Sequence, residues 1–215
     1  MLSQWLAPVP VEAFIRKQIG KAPFAMAGSA KESAPIFGWD TLDRVLSAEP
    51  AADILVVALG KLLDLAPPRT LVDARALLGK GIGLVIRRAE KHDPGLQALA
   101  TAFASDLGGA AHIQLFVTPA GTHGFDWHYD FEEVFIAQTL GIKEYFFRDN
   151  TTDRHTPVGT NPDFGLVRNE TTPIATAKLS AGDWVYIPSR WWHVASCVEE
   201  SLSISVGVLR APSVR

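Results

Sequence analysis

Apolar positions recur along this chain with two different periods. In the first half the spacing is mostly helical. Val11, Phe14, Ile15 and Ile19 fall on one helical face, and Gly20 ends the run. Asp40 is placed to cap a short helix carrying Leu42, Val45 and Leu46. Residues 53–57 and 81–87 read as strands. Asp93-Pro94 gives a cap followed by proline at the first helical position. Leu96, Leu99, Ala100, Phe103 and Leu107 then share one face, and Gly108-Gly109 stops the helix.

The second half changes period. Residues 112–118, 133–138, 142–148, 183–188 and 201–208 read as strands, bounded by turn residues such as Pro119, Gly121, Gly141, Asn150, Gly182 and Pro188. The last strand alternates cleanly. Ser201, Ser203, Ser205 and Gly207 point one way, and Leu202, Ile204, Val206 and Val208 the other. Many short strands between turns predict a mostly-β domain, an antiparallel barrel or jelly roll, with a polar pocket inside and a helical N-terminal portion. The expected division is one domain over 1–215, with a helix-rich flank over 1–110 and a barrel core over 111–210.

Composition fits this picture. The chain has 215 residues, of which 47% are hydrophobic and 20% charged, enough apolar material for one sizeable core. The net charge is −3 and no basic stripe is present, so no nucleic-acid partner is expected. No apolar run is long enough to span a bilayer, and residues 1–10 lack the pattern of a signal peptide. The single cysteine, Cys197, excludes an internal disulfide and a Cys-rich metal site; a reducing, cytoplasmic compartment fits best.

Candidate chemistry begins at His128-Tyr129-Asp130. In extended chain, positions i and i+2 face the same side, so the imidazole and the carboxylate converge. A His-x-Asp pair alone is equally an ordinary surface pair. His193 changes the weighing: it follows a strand ending at Pro188 and two tryptophans, Trp191 and Trp192. Two histidines and one carboxylate on one face of an octahedron form the facial triad of non-heme iron(II) oxygenases. Trp127, Trp191 and Trp192 fit either a dry pocket wall or plain core packing. His123 lies close enough in sequence to border the entrance.

Lys143 is the second signal. It sits in an otherwise apolar strand, and a lysine on a buried face needs a counter-charge. The distal carboxylate of 2-oxoglutarate would supply one. Alternation leaves the face open, because Lys143, Tyr145 and Phe147 share one side while Ile142, Glu144 and Phe146 share the other.

Trp127-His128-Tyr129-Asp130, then Phe135-Ile136-Ala137-Gln138, Gly141 and Lys143, resemble the core of JmjC-type, cupin-like hydroxylases. Gly182-Asp183, Tyr186-Ile187-Pro188 and Trp191-Trp192-His193 are similar to the second half of that pattern. Within the family the resemblance is to the asparaginyl hydroxylase acting on hypoxia-inducible factor and to the hydroxylases of ribosomal proteins. It implies a double-stranded β-helix, iron(II) held by His128, Asp130 and His193, and 2-oxoglutarate held at its far carboxylate by Lys143. Two departures stand out: Phe125 replaces a cosubstrate-binding threonine, and Gly207 replaces an asparagine on the last strand. Gln114, Thr118, Ser203 or Ser205 are the candidates to take over that support.

The expected activity is hydroxylation of a C–H bond in a protein, peptide or small-molecule substrate, with 2-oxoglutarate converted to succinate. A homodimer is left open. Two other readings stay in play: a non-catalytic JmjC-like binding module, and a cupin metalloenzyme that does not use 2-oxoglutarate. Residues 150–176, polar and proline-rich, read as a pocket lid or an ordinary connecting loop.

Overall fold

Asp93 begins the longest helix as the sequence predicts. The computed structural model describes residues 2–210. In it the Asp93 carboxylate accepts from the backbone N–H of Gly95 and Leu96, Pro94 takes the first helical position, and Gly108 closes the helix in the left-handed region at φ 67°. Five helices precede the barrel proper: α1 (Leu2–Leu6), α2 (Val11–Lys17), α3 (Trp39–Leu46), α4 (Leu71–Leu78) and α5 (Pro94–Leu107). In α3 the cap position belongs to Gly38, which makes no side-chain cap bond. Asp40 lies instead within the first turn, where its charge favours the helix dipole. The buried face of α5, which includes Leu99 and Phe103, packs against the barrel. Trp5 of α1 meets Phe103 edge-on at 5.1 Å.

The described residues include eleven strands. The flank supplies β1 (Phe24–Met26), β2 (Asp53–Ala58), β3 (Lys61–Leu62) and β4 (Gly83–Arg87). The barrel supplies β5 (Gly109–Thr118), β6 (Glu133–Leu140), β7 (Lys143–Arg148), β8 (Ala175–Leu179), β9 (Trp184–Ile187), β10 (Trp192–Cys197) and β11 (Ser201–Arg210). They form an eight-stranded sheet in the order β1-β9-β6-β11-β5-β4-β2-β3 and a three-stranded sheet in the order β10-β7-β8. Every pairing is antiparallel. The flank is therefore richer in strand than its sequence pattern suggests, and it extends the large sheet at both edges.

This arrangement is a double-stranded β-helix, and alternation decides what each side does. Leu202, Ile204, Val206 and Val208 on β11 join the core shared with the helices. Val134 and Ile136 on β6, with Tyr145 and Phe147 on β7, belong to a second apolar cluster between the two sheets. The polar face of β11 is thus left to the interior of the barrel.

Gly141, in the tight turn from β6 to β7, has φ 73°, and a Cβ there would run into the carbonyl oxygen of Glu200. Gly141→Ala is expected to cost about 2–4 kcal/mol and lower Tm by on the order of 10 °C in a thermal scan. An unchanged Tm would show that this turn does not fix the register of β7.

Candidate metal centre and cosubstrate pocket

The His-x-Asp segment is held in place by backbone pairing. His128 and His193 exchange N–H···O bonds at 3.1 and 2.8 Å, an isolated antiparallel bridge that pins the extended segment against β10. Alternation then turns His128 and Asp130 inward and Tyr129 outward. Tyr129 is buried against Trp192 at 4.9 Å and donates to Asp153 at 2.8 Å, which locks the segment from behind.

One ligand-capable atom from each of His128, Asp130 and His193 lies within 4.8 Å of the others. The nearest approach of carboxylate to imidazole is 3.6 Å, from Asp130 Oδ2 to His193 Nε2. Each ring uses Nδ1 against the carbonyl two residues before it: His128 against Asp126 at 2.7 Å, His193 against Trp191 at 3.0 Å. With Nδ1–H donating in both, the two Nε2 lone pairs are free to bind a cation, and the rings are fixed in orientation. Burial, then the adjacent His128, push the His193 pKa down to about 4, so it stays a neutral donor. Two imidazoles and a carboxylate brought together in this way are able to hold a divalent metal ion.

A cavity of about 590 Å³ adjoins these three residues. Its inner end holds Lys143, whose Nζ has one hydrogen bond, to Ser203 Oγ at 3.4 Å, and stands 5.3 Å from the Phe116 ring. The structure thus turns Lys143 inward, the question alternation left open, and it is 4% exposed. Among the described residues no carboxylate pairs with it. Burial pulls its pKa down from 10.5 to about 8. Such a group is a cation waiting for an anion.

Gln114, Thr118 and Ser205 line the same cavity, and Ser203 touches the lysine directly. Tyr145 was not singled out by the sequence, although it lies two residues from Lys143 on the same face of β7. It is buried at the inner end, and the same burial raises its hydroxyl pKa above the usual range. Phe125 lines the outer part and meets the His128 ring edge-on at 5.7 Å. Trp127 borders the cavity, Trp192 is core behind Tyr129, and Trp191 packs against the inter-sheet cluster. His123 pairs with Asp126 at 3.2 Å near the mouth.

Residues 150–176 do border the pocket. Phe164 reaches into the lining and meets the His128 ring at 6.1 Å. The segment is also tied down: Asp153 takes the Tyr129 hydroxyl, Arg190 donates to the Thr156 carbonyl at 2.6 Å, and Glu170 accepts from Thr151 N–H at 2.7 Å.

The family model for the JmjC domain matches residues 95–215, more than half of the chain. Ribosomal oxygenase 1 of Danio rerio is 24% identical over 223 residues, covering 96% of this chain and 40% of that protein. A bifunctional lysine-specific demethylase and histidyl-hydroxylase, NO66, of Dictyostelium discoideum is 32% identical over 95 residues, covering 44% of this chain and 18% of that protein. Among solved structures, the ribosomal oxygenase YcfD from Escherichia coli, in complex with cobalt and 2-oxoglutarate, superposes with a TM-score of 0.71 at 19% identity, over 97% of this chain and 53% of that one. The chain therefore spans about two-fifths of the curated relative from Danio rerio and about half of the solved one. No helix among the described residues is long and apolar enough to cross a membrane.

Proposed function

The chain belongs to the JmjC domain family, and from that premise we propose that it is a 2-oxoglutarate-dependent oxygenase that hydroxylates a protein side chain. His128, Asp130 and His193 hold iron(II) in this reading, and Lys143 holds the distal carboxylate of 2-oxoglutarate. The observation that carries it is a buried lysine, without a counter-charge among the described residues, at the inner end of the cavity that also holds three side chains able to bind a metal. A dicarboxylate spanning the two ends would answer both.

When bound, metal and cosubstrate supply the activation of O₂ and the oxidation of a C–H bond, 2-oxoglutarate ending as succinate and CO₂. The protein supplies position. Lys143 and Ser203, with Tyr145 close by, orient the far end of the cosubstrate. Gln114, Thr118 and Ser205 offer further polar contacts from the large-sheet wall. Phe125, Trp127 and Phe164 narrow the open side and keep water from the centre. A protein substrate follows the relatives whose names are ribosomal oxygenase and histidyl-hydroxylase. The one cysteine, buried and unpaired, suits a reducing cytoplasm.

Titration of the metal-free protein with iron(II) and then 2-oxoglutarate, under nitrogen, tests this. A visible charge-transfer band that needs both components is expected. Metal binding without such a band would overturn the 2-oxoglutarate reading, and a cupin enzyme of another kind or a binding module would replace it.

A further inference from the structure

The turn between β9 and β10 holds an arginine where the backbone favours glycine. Arg190 has φ 67°, in the left-handed region, which a residue with a Cβ enters at a cost. Such strain persists where surrounding contacts over-determine it. Three contacts do so here, and they reach different parts of the site. The Arg190 backbone N–H donates to the carbonyl of Asp130 at 2.7 Å. The guanidinium donates through Nη1 to the carbonyl of Thr156 at 2.6 Å. Its Cζ lies 4.8 Å from the centre of the Phe131 ring, in cation–π range.

These partners belong to two segments that meet at the metal centre. Asp130 and Phe131 lie in the extended stretch that begins at His128. Thr156 lies in the covering segment, which runs on to Phe164, whose ring stands 6.1 Å from that of His128 and 5.7 Å from that of Tyr129. The covering segment closes on itself at its base, where Glu170 accepts from the Thr151 N–H and the Thr151 hydroxyl, both at 2.7 Å. Its attachment to the metal side runs through Asp153 and Thr156. The Asp153 carboxylate accepts from the Tyr129 hydroxyl at 2.8 Å and from the Thr156 hydroxyl, and the Thr156 carbonyl takes Arg190. Residues 157–161, between this anchor and Phe164, are exposed. The seat of Phe164 against His128 therefore depends on the anchor at 153–156.

We propose that Arg190 is a positioning residue that fastens the covering segment, and with it Phe164, to the stretch carrying His128 and Asp130, and so sets how readily the metal site opens. The proposal rests on the metal reading given above. One side chain serves both segments: its backbone N–H braces Asp130 from behind, and its guanidinium draws the cover down across Phe131. Loss of the guanidinium frees the cover while the Asp130 carbonyl keeps its donor.

Arg190→Gly isolates that function. Glycine retains the backbone N–H and takes φ 67° without strain, which offsets the lost guanidinium contacts, so Tm is expected to stay within about 5 °C of wild type. Protein loaded with zinc(II), which is redox-inert, is mixed with excess chelator, and release of zinc is timed. Release is expected to be at least about tenfold faster in Arg190→Gly, the effect of losing a charged hydrogen bond that holds the cover. Trypsin should cut the metal-free variant after Arg154 or Arg168, both in the covering segment, several-fold faster than wild type. In Phe164→Ala the cover is already lost, so adding Arg190→Gly should change zinc release by less than about twofold. Unchanged release and cleavage in Arg190→Gly, or a full acceleration by Arg190→Gly in the Phe164→Ala background, would each overturn the proposal. A lowered Tm with an unchanged release rate would make Arg190 a structural residue alone. Should Arg190→Gly not fold, Arg190→Lys, which leaves the backbone as it is and removes the planar guanidinium, carries the same measurements. The iron(II) and 2-oxoglutarate band separates the two readings. A band in wild type, with release and cleavage indifferent to Arg190, keeps the oxygenase and removes this role. Faster cleavage of Arg190→Gly in a protein that binds no metal keeps the fastening of the cover and removes the metal reading.

Discussion

Alanine in place of Asp130 is expected to abolish 2-oxoglutarate turnover and the iron(II)-dependent band together, with metal affinity reduced by more than about a hundredfold. Partners that merely orient a ligand are worth 10–100-fold, and the loss of a ligand itself exceeds that. The ligand-free chain should barely notice the change. The Asp130 side chain is 38% exposed, and the backbone carbonyl that accepts from Arg190 N–H at 2.7 Å is retained. Wild-type protein should gain about 2.7 kcal/mol of stability at a metal concentration one hundred times Kd, and Asp130→Ala should gain almost none at the same concentration. Calorimetric scans with and without metal separate the two effects. Turnover that survives in Asp130→Ala would remove this carboxylate from the metal centre, and a collapse of the metal-free variant would make it a structural residue instead.

Much of this architecture was legible before the structure. Helix α5 carries its own start and stop signals, Asp93-Pro94 and Gly108, and an uninterrupted apolar face between them. Strand β11 declares its two faces through strict alternation, and they sort as expected into helix-side core and cavity wall. The His-x-Asp spacing brings the two side chains together because extended chain places i and i+2 on one side. What stayed hidden has physical reasons. Strand β8 is an edge strand with an exposed, small and polar sequence, and β1 and β3 are too short to show a period. Helix α4 went unread, although Thr70 caps it by accepting from Asp73 N–H at 3.2 Å. The face of Lys143 was undecidable along one strand, since aromatic residues flank it on both sides. It is settled by the small sheet, which buries Lys143, Tyr145 and Phe147 together.

Lys143→Met is expected to move stability and cosubstrate affinity in opposite directions. The folded chain holds this lysine at a pKa of about 8, against 10.5 when it is not buried. That difference corresponds to about 3 kcal/mol of penalty for carrying the charge at neutral pH. Methionine fills similar volume without the charge, so the ligand-free variant should be more stable at pH 7, by up to that amount. Affinity for 2-oxoglutarate should fall by about 2–5 kcal/mol, because the carboxylate loses the buried cation that faces it. The pH dependence has a definite sign. A lysine whose folded pKa is depressed binds fewer protons in the folded state than in the unfolded one as pH rises through the window from about 8 to 10.5. Stability of the ligand-free wild type should therefore gain a contribution across that window that Lys143→Met lacks. Bound 2-oxoglutarate holds the proton on Nζ, so the contribution shrinks in the complex, and binding itself weakens above pH 8. Denaturant titrations at several pH values, with and without 2-oxoglutarate, read all of this in one series. Unchanged 2-oxoglutarate affinity in Lys143→Met would break the link between the buried charge and the cosubstrate. A loss of stability in the ligand-free variant would mean that Lys143 is held by contacts with the protein rather than kept ready for an anion.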